Sequence, residues 1–322
     1  MSNDARQSPR SVSLLTEVVP CTFCGSHHAK RLFTERYELA GSAVDLGINR
    51  CRGCELVYVS PRLTPESTRL VYELDTWQTI SHAYCWDGSS SERRFDALLG
   101  RLAATARPGD RVPRGTLLDV GCGSGQFLRA AKRTGRWRVV GLEPIAAAAH
   151  EAERYAECEV RRAKLDDAGF PPGSFNVITL LGVLEHLHDP VGTLRSARRL
   201  LERGGVLAVY VPNFNYLRLK DTGPIGYART GRWSKLHPQE HLHQFTPRTL
   251  LLVLKACGFE VLRVDVGRPF VPRQWATRVL KEAAYAAACM LQISTGIHLG
   301  GLEVITRVDP KIAETVGLRK SA

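Results

Sequence analysis

The chain has 322 residues, 44% of them hydrophobic, enough for one large core with a small second one, which excludes general disorder. Its apolar stretches, VITLLGVL, TLLLVL and AAYAAACMLQI, are too short or too interrupted to span a bilayer, and no charged-then-apolar leader opens the sequence, so a cytoplasmic protein without a transmembrane segment is expected. Lys+Arg number 44 against 32 Asp+Glu, a formal net charge of +12; this fits an anionic partner, be it a nucleotide-linked or phosphorylated small-molecule substrate, nucleic acid or a peripheral membrane face, and the lack of a dense basic block ranks nucleic acid second.

Residues 1–17 read as a polar, disordered tail. Residues 18–60 hold two CxxC pairs, CTFC (Cys21, Cys24) and CRGC (Cys51, Cys54), around a mixed, strand-like stretch. In a reducing compartment paired cysteines serve as metal ligands rather than disulfides. Two such pairs make a four-thiolate tetrahedron for structural zinc, with no open position for catalysis. Redox-active or unliganded thiols are the other reading. The span between the pairs exceeds the usual range, but loop length between two knuckles costs little entropy. Gly25 after the first pair and Gly53 inside the second suit tight knuckles, while His27 and His28 are spare and exposed.

Residues 61–112 read as a helical connector or cofactor lid. TPESTRLVYEL offers a cap at Thr64 with Pro65 at the first helical position, and SSSERRFDALLGRLAATA carries Phe95, Leu98, Leu99 and Leu102 at helical spacing. Tyr72, Tyr84 and Trp86 stand ahead of the core, as a lid or as packing. PGD and PRG within 108–115 mark a turn-rich boundary.

From 113 to 308 the pattern alternates. Strand TLLDV precedes helix GQFLRAAKRTG, ended by Gly135; strand WRVVGLE precedes helix IAAAAHEAERYA. A short strand ECEVRRA, strand FNVITLLG, helix PVGTLRSARRLLERGG and strand VLAVYVPN follow, then the capped helix TPRTLLLVLKACGF. The final strands, EVLRVDV and LEVITRV, can include an antiparallel one. This alternation predicts an α/β fold with a doubly wound, mostly parallel sheet covered on both faces. The helix RQWATRVLKEAAYAAACMLQI (273–293) packs, covers substrate or lies on a membrane surface, and 309–322 read as a C-terminal tail.

In TLLDVGCGSGQF the glycines fall at 121, 123 and 125, and Gln126 stands where a dinucleotide fingerprint needs its last glycine. Glycine lets the backbone approach a ligand closely. Asp119, at the strand end, would repel a pyrophosphate and suits a cationic or hydrogen-bond-donating head. Glu143 in VVGLEP lies about 20 residues on, where an acid binds ribose hydroxyls. Together they describe a pocket for a phosphate-free adenosine with a cationic group.

LLDVGCGSG, GLEP, FPPGSFNVITLLGVLEHLHDP and LERGGVLAVYVPN, spanning about 116–266, resemble the class I S-adenosylmethionine-dependent methyltransferases. The resemblance implies a Rossmann-like seven-stranded sheet preceded here by a zinc ribbon. It implies that Asp119, Gly121, Cys122, Gly123 and Gly125 wrap the methionine part of S-adenosylmethionine and that Glu143 holds the ribose. It places the adenine near the Leu165 backbone or the Asp166 side chain, with Gly182 also at the cofactor. Many members carry an aspartate at the adenine position, where this chain has Lys164 and Leu165, and FDV where it has FNV at 175–177. CxxCG…RCxxCxLVYVSPR ahead of such a core is similar to a bacterial subgroup with a small zinc module. Sugar C-methyltransferases acting on nucleotide-linked keto-sugars share the arrangement but carry a further C-terminal domain, from which this chain departs.

Two acid–histidine pairs are the catalytic candidates. Glu185 and His186 follow the fourth strand of the core, at the carboxyl edge where ligands bind. Glu240 and His241 follow the fifth strand and a variable stretch, 214–236, read as a lid with Phe214, Tyr216, Tyr227 and Trp233. A histidine near neutral pKa suits a general base acting while the methyl moves, and alignment supplies most of the acceleration. Either histidine can instead simply shape the pocket. His188 and His243 read as surface or helix-cap residues. The expectation is methyl transfer to a small or medium metabolite, such as a sugar or a cell-envelope or secondary-metabolism intermediate. RNA methylation, and a zinc-ribbon binding protein with a degenerate methyltransferase fold, are the alternatives.

Overall fold

A computed structural model describes residues 13–73, 88–105, 115–220, 236–268 and 275–309. The N-terminal part contains β1 (Thr16–Glu17), a long hairpin of β2 (Ala29–Leu39) and β3 (Ser42–Cys51), then β4 (Val57–Val59), β5 (Arg62–Leu63), α1 (Pro65–Val71) and α2 (Gly88–Ala104). The chain continues as β6 (Gly115–Val120), α3 (Gln126–Arg133), β7 (Trp137–Leu142), α4 (Ala146–Ala156), β8 (Glu159–Arg161), β9 (Phe175–Leu181), α5 (Pro190–Leu200) and β10 (Leu201–Val211). It closes with α6 (Phe214–Lys220), β11 (His243–Gln244), α7 (Pro247–Ala256), β12 (Phe259–Gly267), α8 (Trp275–Thr295) and β13 (Gly301–Val308).

The main sheet has seven strands in the order β12-β13-β10-β9-β6-β7-β8. The pairs β6–β7, β7–β8, β6–β9 and β9–β10 are parallel, whereas β13 runs antiparallel to both β10 and β12. Strand order therefore reverses between β6 and β9, and the carboxyl ends of those strands open the ligand crevice of a doubly wound sheet. Both sheet faces are covered: Leu117 and Leu118 point to opposite sides of β6 and are equally buried. Leu118 packs with Leu142, Ile178 and Leu180 in one layer, Leu117 with Leu128, Val139 and Val177 in the other.

Capping residues fix where the helices begin. Thr64 accepts from Ser67 N at α1, Asp189 accepts from Gly192 N at 2.8 Å at α5, and Thr246 with Thr249 forms a capping box at α7. Each helix has proline in its first turn, and each cap contributes about 1 kcal/mol.

Several boundaries differ from the sequence expectation. Thr16 and Glu17, expected in the tail, pair antiparallel with Leu63 and Arg62. The helix expected over 190–205 ends at Leu200; the chain enters β10 directly, turns at Gly204 (φ 79°) and shifts register between Leu201 and Val206. Residues 243–244, to which the sequence assigned no element, form β11 and pair with β4. The cysteine region's four-stranded sheet, β11-β4-β3-β2, is thus completed by a segment almost two hundred residues downstream. Tyr84, Trp86, Tyr227, Trp233 and the 108–114 boundary lie outside the described residues. No described helix is long and apolar enough to cross a membrane. Gln292 of α8 instead bonds the β12 backbone at Val264 O and Val266 N, while Val279, Leu280, Met290 and Ile293 are exposed.

Candidate functional site

The glycine turn joins β6 to α3 at the sheet's switch point. Gly121, Gly123 and Gly125 all have positive φ (68°, 53° and 80°), the region that penalises side chains with a Cβ. Their surroundings differ. A Cβ on Gly121 would meet Val183, and one on Gly125 would press into Ala152 of α4 at 2.9 Å. A Cβ on Gly123 would meet nothing within 4 Å. Gly121 and Gly125 thus serve packing, and Gly123 faces open space where a ligand can reach the backbone. Cys122 is buried, its N–H donating to Leu142 O.

Two carboxylates face this turn. Asp119 is buried and accepts a 2.6 Å hydrogen bond from Thr179 Oγ1 on β9. Burial pushes its carboxyl up to about 7; the Thr179 hydrogen bond opposes the rise and the Glu143 charge adds to it. Glu143 follows the end of β7, accepting from Gly123 N through Oε2 and from Ile145 N through Oε1, both at 3.0 Å. Burial raises its pKa as well, against those two hydrogen bonds. A carboxylate offers about four lone-pair sites, so Glu143 keeps capacity for ligand hydroxyls.

The expected adenine residues lie after β8, in a short 3-10 turn, Leu165–Asp167. Leu165 turns its side chain into the core and Asp166 is exposed. Gly182 caps β9 with φ 75° and donates to Tyr210 O. Asn176 keeps a hydrogen-bonding role without the charge: its Oδ1 accepts from Thr116 N at 2.7 Å, at the start of β6.

The histidines of the two acid–histidine pairs, 55 residues apart in sequence, meet, with Glu185 beside them. The rings of His186 and His241 meet edge to face with centroids 4.7 Å apart. His186 Nε2 lies 4.0 Å from Glu185 Oε1, and His186 Nδ1 lies 3.1 Å from Tyr72 Oη. Glu185, His186 and His241 bring a carboxylate oxygen and two ring nitrogens within 4.8 Å of one another, a spacing also able to hold an ion. Among the described residues, Glu185 Oε2 and His241 Nδ1 have no hydrogen-bond partner. Burial favours the uncharged form of each group. It raises Glu185 to about 8 against the nearby Arg94 charge, and lowers His186 to about 4 and His241 well below its usual value. Glu240 is raised by burial too, and its backbone carbonyl accepts from the His186 ring.

Sequence reasoning missed three features here. Arg94 of α2 is buried with its guanidinium 3.8 Å above the Tyr210 ring, and its charge reaches Glu185. His237 flanks His241 with ring centroids 5.9 Å apart. His188 and His243, expected at the surface or as caps, are instead tied inward: His188 Nε2 to Leu63 O at 3.1 Å, and the fully buried His243 Nε2 to Thr22 Oγ1 at 2.7 Å. Only Arg94 had a signal, a charged residue beside the apolar stripe of an amphipathic helix, and that pattern ordinarily means a solvated face.

The four module cysteines converge as expected. Cys21 Sγ and Cys54 Sγ lie 3.5 Å apart, as do Cys24 Sγ and Cys51 Sγ, and all four sulfurs fall within 4.8 Å. Metal–sulfur bonds of about 2.3 Å in a tetrahedron require sulfurs about 3.8 Å apart, so the donor set fits zinc. Burial pushes Cys21 up to about 11; at Cys51 backbone N–H groups of Cys54 and Gly53 overcome burial and bring the thiol down to about 7. The two knuckles match in shape, with positive φ at the residue after each pair, Gly25 (72°) and Glu55 (66°). Gly53, expected to provide the second turn, is not in that region; Glu55 takes it while pairing with Arg50 and Arg248.

A seven-stranded sheet with one antiparallel strand, a glycine turn at its switch point and an acid after the second strand is the architecture of a class I S-adenosylmethionine-dependent methyltransferase. The description "Methyltransferase domain" matches residues 90–264, more than half of the chain, and the chain belongs to that family. It is 33% identical to the ubiquinone biosynthesis O-methyltransferase of Xanthomonas campestris pv. campestris (strain B100) over 156 residues, 44% of this chain and 63% of that protein. It is 35% identical to the protein of the same name from Pseudomonas paraeruginosa (strain DSM 24068 / PA7) over 106 residues, 31% of this chain and 45% of that protein. The chain thus spans less than two thirds of the curated relatives it matches. The crystal structure of a Mesorhizobium loti S-adenosylmethionine-dependent methyltransferase aligns at 19% identity and TM-score 0.43, over 60% of this chain and 92% of that one.

Proposed function

We propose that the protein transfers a methyl group from S-adenosylmethionine to a small or medium metabolite, a sugar or another cell-envelope or secondary-metabolism intermediate. The observation that carries this reading is the hydrogen bond from Gly123 N to Glu143 Oε2, which sets a carboxylate with spare acceptor sites against the open side of the glycine turn. Glu143 would take the ribose hydroxyls. Asp119 would face the cationic methionine part, with Gly121, Cys122, Gly123, Gly125 and Gly182 around it, and Leu165 and Asp166 would border the adenine. When bound, the cofactor supplies a methyl group activated by a sulfonium centre. The near-neutral pKa expected of a histidine base is not met in the free site, where burial lowers His186 to about 4 and His241 well below its usual value. Both are free to accept a proton but are weak bases until ligand binding changes their surroundings, and Glu185, raised by burial to about 8, lies beside them. One of the two histidines takes the acceptor's proton, and Glu240 borders the same segment. The names of the relatives support a hydroxyl oxygen as acceptor atom. Zinc held by Cys21, Cys24, Cys51 and Cys54 is structural in this reading, because four thiolates close the coordination sphere.

Calorimetric titration with S-adenosylmethionine tests the proposal. The parent chain binds with one site and Glu143→Ala weakens binding by about a hundred-fold, the loss expected when a buried charged hydrogen-bonding group is removed. A parent chain that gives no binding heat, or a variant indistinguishable from it, rejects the reading.

A further inference from the structure

The tetrapeptide Glu-His-Leu-His occurs twice, at 185–188 and 240–243. The two histidines of each copy face different neighbours, because neither copy is a regular strand: the first leaves a 3-10 turn at His186 and the second enters β11 at His243. The first histidine of each, His186 and His241, meets the other at the candidate site with ring centroids 4.7 Å apart. The second histidine of each points away and is held by the N-terminal part of the chain. His188 Nε2 is 3.1 Å from Leu63 O, and its own carbonyl accepts from Arg62 Nη1 at 3.1 Å. His243 Nε2 is 2.7 Å from the hydroxyl of Thr22, which stands between Cys21 and Cys24. The second copy is held further by the backbone: Val59 N donates to Leu242 O at 2.9 Å, and His243 and Gln244 pair with Tyr58 and Val57. Gln244 Nε2 closes the loop on Leu236 O and His241 O.

We propose that the cysteine module is a positioning element for the catalytic edge. Thr22 and Leu63 grip the outer histidine of each tetrapeptide, and this sets the contact between the inner pair, His186 and His241. His243 and His188 are positioning residues that need touch no substrate. The inference rests on the methyl-transfer reading for the purpose of that contact, but the coupling itself is a separate claim. It explains why a module without an open metal position is built into the sheet edge at the second tetrapeptide: β11, in the module's sheet, starts with His243, the last residue of that tetrapeptide.

The test uses the full chain labelled with 15N in its histidine rings, and compares the imidazole cross-peaks of His186 and His241 across variants. Thr22→Val removes the hydroxyl and keeps the shape; it is expected to shift or broaden both peaks. Thr22→Ser restores the hydroxyl and is expected to return them. Ser60→Ala breaks both hydrogen bonds of the same module to the Val19 backbone, without touching either tetrapeptide, and is expected to leave the peaks in place. S-adenosylmethionine titration of Thr22→Val is expected to give a Kd within about two-fold of the parent, since the glycine turn is untouched. Unmoved peaks in Thr22→Val, or equal movement in Ser60→Ala, overturn the proposal. Should Thr22→Val not fold, His243→Leu, which removes the ring nitrogens facing Thr22, takes its place and is expected to shift or broaden the His241 peak; an unmoved peak there overturns the proposal equally. A parent chain that fails to bind S-adenosylmethionine rejects the methyl-transfer reading while the peak comparison still decides the coupling.

Discussion

Thr179 Oγ1 donates to Asp119 Oδ1 across 2.6 Å, joining β9 to β6 where the strand order reverses. The bond holds a carboxylate inside the core at the mouth of the ligand crevice, and burial lifts that carboxyl to about 7. A cationic ligand prefers the ionised form. Only about a tenth of Asp119 is ionised one pH unit below its pKa and about nine tenths one unit above, so affinity for S-adenosylmethionine should rise about ten-fold from pH 6 to pH 8. Titration calorimetry across that range checks it. Asp119→Asn keeps an acceptor for Thr179 and should bind weakly with no such slope.

The glycines at 123 and 125 should separate binding from stability. Gly123→Ala incurs the left-handed backbone cost of about 1–2 kcal/mol but meets no neighbour. It should fold, melt a few degrees lower and bind the cofactor poorly because its methyl enters the open side of the turn. Gly125→Ala carries the same backbone cost and also drives a methyl into the α4 backbone at Ala152. Overpacking there brings the loss to about 3 kcal/mol or more. Urea unfolding of both variants beside cofactor titration distinguishes the two roles.

Much of this edge was legible before any coordinates, because its chemistry sits in short local patterns. Asp119 ends an apolar strand two residues before a glycine turn, and Glu143 ends the next one; strand–turn–helix periodicity places both at the same edge of the sheet. The two CxxC pairs were legible for the same reason. The links across the molecule were not. Thr22 and His243 are 221 residues apart, and β11 is two residues long, too short to show any period. Arg94 looks like the polar side of an amphipathic helix until Tyr210 is seen beneath its guanidinium. Glu55 carries no mark of its left-handed backbone, which follows from closing the second knuckle.

The cysteine set makes a metal prediction. The purified chain should contain about one zinc per molecule, measured by a colorimetric chelator after denaturation. Cys51→Ala removes a buried ligand and should abolish that zinc. It should also lower the melting temperature sharply, because a structural metal's binding energy is folding energy. Cofactor affinity should fall much less, since Asp119, Gly123 and Glu143 lie on the other sheet. A chain that holds no zinc yet melts like the Cys51→Ala variant would move the module to the thiol reading.

Glu185 should leave a signature in the pH dependence of stability. Its carboxyl is raised from 4.5 to about 8, chiefly by burial, with the Arg94 charge opposing. Between those values the folded chain holds a proton that the unfolded chain has released. Stability then falls as pH rises: the contribution is complete below about 4.5 and is lost as pH climbs through about 8. Glu185→Gln places a neutral amide where the protonated acid stood. Urea unfolding should show the parent weakening from pH 5 to pH 8 and the variant weakening less, with a gap on the order of a few kcal/mol at the alkaline end. Asp119 adds a slope of the same sign that ends near pH 7, so the difference between parent and variant should keep widening from pH 7 to pH 8. A gap that closes over that interval would mean that Glu185 is already ionised in the fold, with Arg94 as its counter-charge, and would remove it as a proton holder beside His186.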